Sequence, residues 1–309
     1  MTSDGFYESR GEGRIHFCVW EPREKPRAVV QIIHGISEIV ERYDEFARYL
    51  NELGFLVVGE DHMGHGKSIH RTAGFFAGGW ITALQDSLTL HEMVRKKYPD
   101  LPYVMLGHSM GSYMLRTILC LYPERKLDGA IIMGTGWEHR QALAAAETLC
   151  RSACRKVGER AVSPVVEKAF FGSYNRKIEH QRTKFDWLTR DQRIVDAYIA
   201  HPRCGLPATA GLYRDLVSGL QILEDRDQMQ NMKKTLPVLF VSGAMDPVGN
   251  YGKGVERSFE EFKKAGMQDV KMKLYPLCRH EILNELNRKE VYGDIGRWLS
   301  EKLPERNRE

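Results

Sequence analysis

The sequence contains no Cys-x-x-Cys pair, no apolar run approaching the roughly 20 residues a bilayer span needs, and no long block of one charge. Each absence removes a class of function. Six cysteines lie scattered at positions 18, 120, 150, 154, 204 and 278, without the spacing of a disulfide framework or a zinc site. Cys150 and Cys154 are one helical turn apart, but no second pair accompanies them, so they read as small apolar packing residues. The net charge of +4 is too small to point to nucleic acid, and no basic run interleaved with aromatics occurs. The opening segment MTSDGFYESRGEGRIHF has no apolar h-region and no cleavage signature, so a cytoplasmic enzyme is the expectation.

What is present is a chain of 309 residues, 42% hydrophobic and 28% charged, long enough to bury one large core. Residues 5–20 read as a hairpin turning at Gly11-Glu12-Gly13. RAVVQIIH, FLVVGED, PYVMLG and LDGAIIMG then follow as short, continuously apolar runs, the pattern of strands buried on both faces. Between them lie amphipathic stretches, RYDEFARYLNELG, ALQDSLTLHEMVRKKYP and SMGSYMLRTILCLYP, closed by Gly54, Pro99 and Pro123. Such alternation predicts an α/β fold with a mostly parallel central sheet flanked by helices. The rhythm stops at Gly134 and resumes with LPVLFVSG, GVERSFEEFKKAG, VKMKLYP and RKEVYGDIGRWLSEKL. The interval 135–235 has helical periodicity in ALAAAETLCRSACRKV and TAGLYRDLVSGLQIL but no convincing buried strand. It reads as a helical cap inserted into a core made of 1–134 and 236–309.

The stretch VMLGHSMGS carries the chemistry. Chance alone puts a G-x-S-x-G in roughly one chain in ten of this length, so the setting decides. Here a buried strand ends at Gly107 and a helix starts within a residue of Ser109. A sharp strand-to-helix turn needs small residues on both sides of a nucleophile, and Gly107 and Gly111 supply them. The turn also puts the N–H of Met110 at a helix N-terminus, aimed at an oxyanion. The plainer alternative makes Ser109 a helix N-cap.

A serine hydroxyl needs a histidine to take its proton and an acid to hold the histidine, in the chain order serine, acid, histidine on such a fold. His280 follows the last predicted strand and Asp246 the penultimate one. Asp246 before Pro247 also suits an ordinary turn, and the two readings are compatible. Glu281 is expected to point outward or to stand behind His280. The second oxyanion donor is expected after VVQIIH, where Gly35 allows a close approach and the N–H of Ile36 points to the site. His34-Gly35 on its own would be a strand-end turn.

HGISE, DHMGHGKS, GHSMGS, SGAMDPVG and CRHEILNE, in this order, resemble the α/β-hydrolase fold. Within it they are similar to the monoacylglycerol lipase and lysophospholipase group, also described as serine aminopeptidase-like (S33-type) hydrolases. The resemblance covers nearly the whole chain. It implies Ser109 as nucleophile, Asp246 as acid, His280 as base, Ile36 and Met110 as oxyanion donors, and no cofactor or metal. One departure is Ser112, where the group usually has glycine; its hydroxyl is expected to bond a carbonyl one turn back. His62 and His65 could suggest a metal site, but the resemblance makes DHMGHGKS a structural loop in which Asp61 and Ser68 bond backbone.

Specificity is expected in the cap. Trp137, Leu143, Leu149, Phe170, Phe171, Phe185, Trp187, Tyr198, Leu212 and Leu216 are candidates to face an acyl chain or to form its core. The cap carries 17 Lys and Arg against 12 Asp and Glu, which reads first as a set of solvated helix faces and would also suit an anionic membrane surface. Three functions compete. The first is an esterase of monoacyl lipids, with a short-chain carboxylesterase as its variant. The second is a serine peptidase of the proline-iminopeptidase type, which needs carboxylates such as Glu138, Glu147 or Asp215 near the substrate ammonium. The third is a binding protein without catalysis.

Overall fold

The computed structural model describes residues 1–303. A hairpin of β1 (Ser3–Glu8) and β2 (Arg14–Trp20) leads into β3 (Ala28–Ile33), α1 (Asp44–Glu52), β4 (Phe55–Glu60) and α2 (Gly79–Lys97). Then come β5 (Tyr103–His108), α3 (Met110–Leu121) and β6 (Gly129–Met133). Five helices follow, α4 (Arg140–Val157), α5 (Pro164–Phe171), α6 (Gln192–Ala200), α7 (Ala210–Glu224) and α8 (Arg226–Gln230). The chain closes with β7 (Val238–Gly243), α9 (Lys253–Lys264), β8 (Val270–Tyr275) and α10 (Arg288–Lys302).

The strands form one eight-stranded sheet in the order β1-β2-β4-β3-β5-β6-β7-β8. All pairs from β4 to β8 are parallel, and only β1 and β2 run against their neighbours. Every residue of β3, β4, β5, β6 and β7 is buried, because helices cover both faces. On one face, Phe46 and Leu50 of α1 and Ile295, Trp298 and Leu299 of α10 pack on Val30, Ile32, Val57, Leu106 and Ile131. On the other, Leu84 and Leu88 of α2, Met114 and Ile118 of α3 and Phe262 of α9 pack on Val29, Ile33, Val58, Met105 and Ile132. The alternating parity of these strand residues is what a two-faced sheet requires.

Among the polar groups sealed inside this core is a carboxyl. Glu60, at the end of β4, is fully buried and accepts hydrogen bonds from the Ser87 hydroxyl and, at 3.3 Å, from the Gln31 amide. Burial pushes its carboxyl up to about 7, the bonds from Ser87 and Gln31 only partly opposing it.

The helical segment between β6 and β7 has no strand among its described residues, only an isolated bridge between Val162 and Thr209. Helix α7 touches α4 as well as α2 and α3, which seats the insert on the core. Among the described residues no helix is long and apolar enough to cross a membrane.

Candidate active site

Ser109 lies between β5 and α3 with φ of 53°, a left-handed conformation costly for any residue with a Cβ. The strain is held by close packing. A Cβ on Gly107 would run into the carbonyl of Gly111, and one on Gly111 into the carbonyl of Ile33. The Ser109 N–H is fixed by Met133 O at 3.0 Å. The Ser112 hydroxyl donates to Ser109 O at 2.6 Å, so the serine that departs from the family pattern is satisfied within one turn.

Asp246 and His280 come from the loops at the C-terminal ends of β7 and β8, beside β5 and β6 in the sheet. Asp246 is fully buried, and its Oδ2 lies 2.9 Å from His280 Nδ1. The Val248 N–H donates to Oδ1 at 2.8 Å, and the Ser242 hydroxyl to Oδ2 at 3.2 Å. With a carboxylate as partner, Nδ1 carries the proton and Nε2 is left as the acceptor. The His280 ring is sandwiched between His108, 4.7 Å away by ring centroids, and Trp187 of the insert, 5.0 Å away. Among the described residues Ser109 Oγ makes no hydrogen bond, yet it and His280 face one cavity. A contact that tightens only with substrate is usual for such a pair.

The N–H groups of Ile36 and Met110 find no acceptor among the described residues. Gly35 has the close approach expected of it, since a Cβ there would lie 3.0 Å from the Ser109 Cβ.

Sequence reasoning missed the charged cluster behind these residues. Glu38 Oε1 accepts from the Gly35 N–H at 2.6 Å and from the Tyr43 hydroxyl at 3.0 Å, and lies 3.0 Å from His108 Nδ1. The Arg42 guanidinium donates to Glu38 Oε2 at 2.8 Å and to both oxygens of Glu281 at 2.6 Å. Burial opposes the Glu38 charge, but the His108 bond and the charges on His108 and Arg42 outweigh it and hold the carboxyl far below its usual range. Burial likewise opposes a charge on His108, and the Glu38 bond reverses it, so its pKa is raised. Glu281 does not point outward; it is buried and clamped bidentately by Arg42. The i,i+4 spacing of Glu38 and Arg42 was the one local signal for this cluster.

The insert is riveted to the His280 loop. Glu281 N–H donates to Leu188 O at 2.7 Å, and Arg279 Nη1 to Asp186 O at 2.7 Å. Arg190 Nε donates to Glu285 Oε2 at 2.8 Å.

The cavity over Ser109 has a volume of about 290 Å3, near the lower end of the range of ligand pockets. Of the ten apolar candidates in the insert, Phe171, Phe185, Trp187 and Tyr198 line it. Trp137, Leu143, Leu149, Phe170, Leu212 and Leu216 instead pack into the core. Tyr213, Leu206 and Pro207 complete the apolar wall, and Glu167, Lys168 and Lys184 add charge. None of Glu138, Glu147 and Asp215 reaches the cavity; Glu147 pairs with Arg151 and Asp215 with Arg214.

Among the described residues His16, Cys18 and Glu41 bring potential metal-ligand atoms within 4.8 Å of one another. The Lys67 ammonium already stands there, 2.8 Å from Glu41 and 3.4 Å from His16. In DHMGHGKS, Asp61 accepts the N–H groups of Val40 and Lys67 at 2.9 Å each, and Ser68 Oγ donates to Asp61 O at 2.7 Å. His62 Nε2 lies 3.0 Å from His34 O and His65 Nδ1 3.1 Å from Met63 O, so both rings are engaged with backbone carbonyls.

The family model described as serine aminopeptidase, S33, matches residues 24–287. The chain is 30% identical to a monoacylglycerol lipase of Mycolicibacterium smegmatis, over 97% of this chain and 98% of that one. It is 26% identical to the human monoglyceride lipase, over 94% of this chain and 88% of the relative. Its fold matches the crystal structure of a thermostable carboxyl esterase from Bacillus coagulans in complex with glycerol. That match has a TM-score of 0.88 and 27% identity, and covers 97% and 98% of the two chains. With a doubly covered parallel sheet and a match spanning most of its length, this chain belongs to the serine aminopeptidase S33 family of the α/β-hydrolase fold.

Proposed function

We propose that the chain is a serine hydrolase cleaving carboxylic esters of monoacyl lipids, either monoacylglycerols or lysophospholipids, through Ser109, His280 and Asp246. The observation that carries this reading is the apolar cavity opening onto Ser109 and His280, walled by Phe171, Phe185, Trp187, Leu206 and Tyr213. An acyl chain suits such walls, each buried methylene contributing roughly 0.8 kcal/mol. Residues 135–235 act as a cap that roofs the nucleophile.

In this mechanism His280 Nε2 accepts the Ser109 proton as Oγ attacks the ester carbonyl. Asp246 holds the ring and stabilises the imidazolium. The N–H groups of Ile36 and Met110 take the oxyanion, His280 returns the proton to the leaving alcohol, and water repeats the sequence on the acyl-enzyme. Of the cavity's carboxylates, Glu38 and Glu281 are already paired with His108 and Arg42, so the peptidase reading would rest on Glu167 to hold a substrate ammonium.

Contact with an anionic membrane surface belongs to the same reading. Val157, Val162 and Val165 of the cap are exposed, and among the described residues Arg155, Lys156 and Lys168 near them in sequence have no carboxylate partner.

The test is fatty-acid release from a monoacylglycerol and a lysophospholipid at equal concentration, with Ser109→Ala as blank. Release above the blank from either supports the reading, and the ratio gives the headgroup preference. Protein that labels at Ser109 with a fluorophosphonate but releases nothing from either substrate would move the assignment to short-chain esters or peptides.

A further inference from the structure

Ser37 directly follows the proposed oxyanion donor and has φ of 58°, a left-handed conformation in a residue that carries a Cβ. Its conformation is held from the cap. Ser37 O accepts the Tyr198 hydroxyl at 2.8 Å and the Gly205 N–H at 2.8 Å, while Ser37 Oγ donates to Leu206 O at 2.7 Å. Glu38 pins the other side of the loop from the core, through the Gly35 N–H. The Ile36 peptide is thus suspended between a core anchor and a cap anchor.

The cap anchor is itself close-packed. Tyr198 is 5% exposed, with the Arg42 guanidinium 4.8 Å from its ring centroid and Phe185 edge-on at 5.0 Å. Gly205 has φ of 65°, and a Cβ there would lie 3.0 Å from Phe185 and 3.1 Å from Tyr198. Tyr198, Gly205 and Leu206 also line the cavity that faces Ser109.

We infer that the cap sets the geometry of the oxyanion loop, with Tyr198 as a positioning residue that acts through Ser37 on the Ile36 N–H. This rests on the proposed role of Ile36 and adds what holds it. Strain at Ser37 persists only while the cap over-determines it. An acyl chain filling the cavity presses on the same three residues, so cap binding contributes to the rate of acyl transfer and not only to affinity. A cap that merely roofed the site would leave the oxyanion loop indifferent to the Tyr198 hydroxyl.

The experiment is a double-mutant cycle of Tyr198→Phe and Ser37→Gly, read as kcat and KM on a monoacylglycerol and as the rate of Ser109 labelling by a fluorophosphonate. Tyr198→Phe keeps the ring and its packing. It is expected to lower kcat and the labelling rate together by about tenfold, as misplacing a transition-state donor does, with KM within about twofold. Glycine adopts the left-handed conformation without help. In the Ser37→Gly background the same Tyr198→Phe change is therefore expected to cost less than about twofold, a non-additivity that a purely structural tyrosine would not show. Equal losses in both backgrounds, or a fall in thermal midpoint with kcat unchanged, would overturn the inference while the hydrolase reading stands. Absence of both turnover and Ser109 labelling in the unmodified protein would overturn both.

Discussion

Replacing Glu60 by glutamine is expected to remove a pH dependence of stability that the wild-type fold carries. The carboxyl is fully buried, and its pKa rises from 4.5 to about 7 on folding because burial penalises the charge. At pH below both values it is neutral in both states, and its contribution to stability is fully present. As the pH climbs past the lower value, the unfolded chain releases its proton while the folded chain keeps it, so stability falls. Once the folded pKa is passed, the full difference has been lost. A shift of this size corresponds to about 3 kcal/mol, of which about 2.5 kcal/mol is lost between roughly pH 5 and pH 8. Glutamine is isosteric and neutral at every pH, and it retains acceptor capacity for the Ser87 hydroxyl. Urea denaturation of both proteins at about pH 5 and pH 8 is the assay. The wild type should lose about 2.5 kcal/mol relative to Glu60→Gln over that interval, or roughly 5 °C in thermal midpoint. A difference between the two proteins that does not change with pH would refute the argument.

Two further outcomes follow from the site. On the proposed mechanism, Asp246→Asn keeps the shape of the side chain but favours the wrong tautomer of His280; it is expected to reduce kcat on the order of 10⁴-fold with the fold intact, measured by ester turnover and circular dichroism. Gly111→Ala forces a Cβ against the Ile33 carbonyl, a backbone atom that no rotamer change can move, and is expected to cost about 3 kcal/mol by urea denaturation together with slower Ser109 labelling.

Local patterns carried much of this protein. The unbroken apolar runs of β3 to β7 matched strands sealed on both faces, and the clash geometry at Gly107 and Gly111 is the physical content of the glycine spacing around Ser109. Asp246 and His280 were reachable because the loops at the C-terminal ends of parallel strands face one side of the sheet. The cluster behind them was not. Arg42 and Glu281 are 239 positions apart and Ser37 and Tyr198 are 161 apart, and nothing in either neighbourhood encodes the partner. The sequence leaves open which apolar residues of the insert face the cavity, for a related reason. Leu143 and Leu149 of α4 and Leu212 of α7 lie on amphipathic helices, and periodicity says that a face is apolar without saying what it meets. The cavity is walled by Phe185–Leu188 and Gly205–Ala208, which lie outside the helices, and by Pro164, Glu167, Lys168 and Phe171 along one face of α5.

The order of the sheet also governs what a ribosome releases. Strands β1 to β6 are contiguous in the chain and can pair as soon as they emerge, but β6 waits for β7 until about a hundred more residues have been made. At translation rates of about 5–20 residues per second, the apolar edge Gly129–Met133 stays uncovered for roughly 5–20 seconds. Throughout that time the nascent chain bears Ser109 without Asp246 or His280. The protein therefore passes through an aggregation-prone stage in which the proposed triad is incomplete, and fragments ending inside the helical insert inherit both properties.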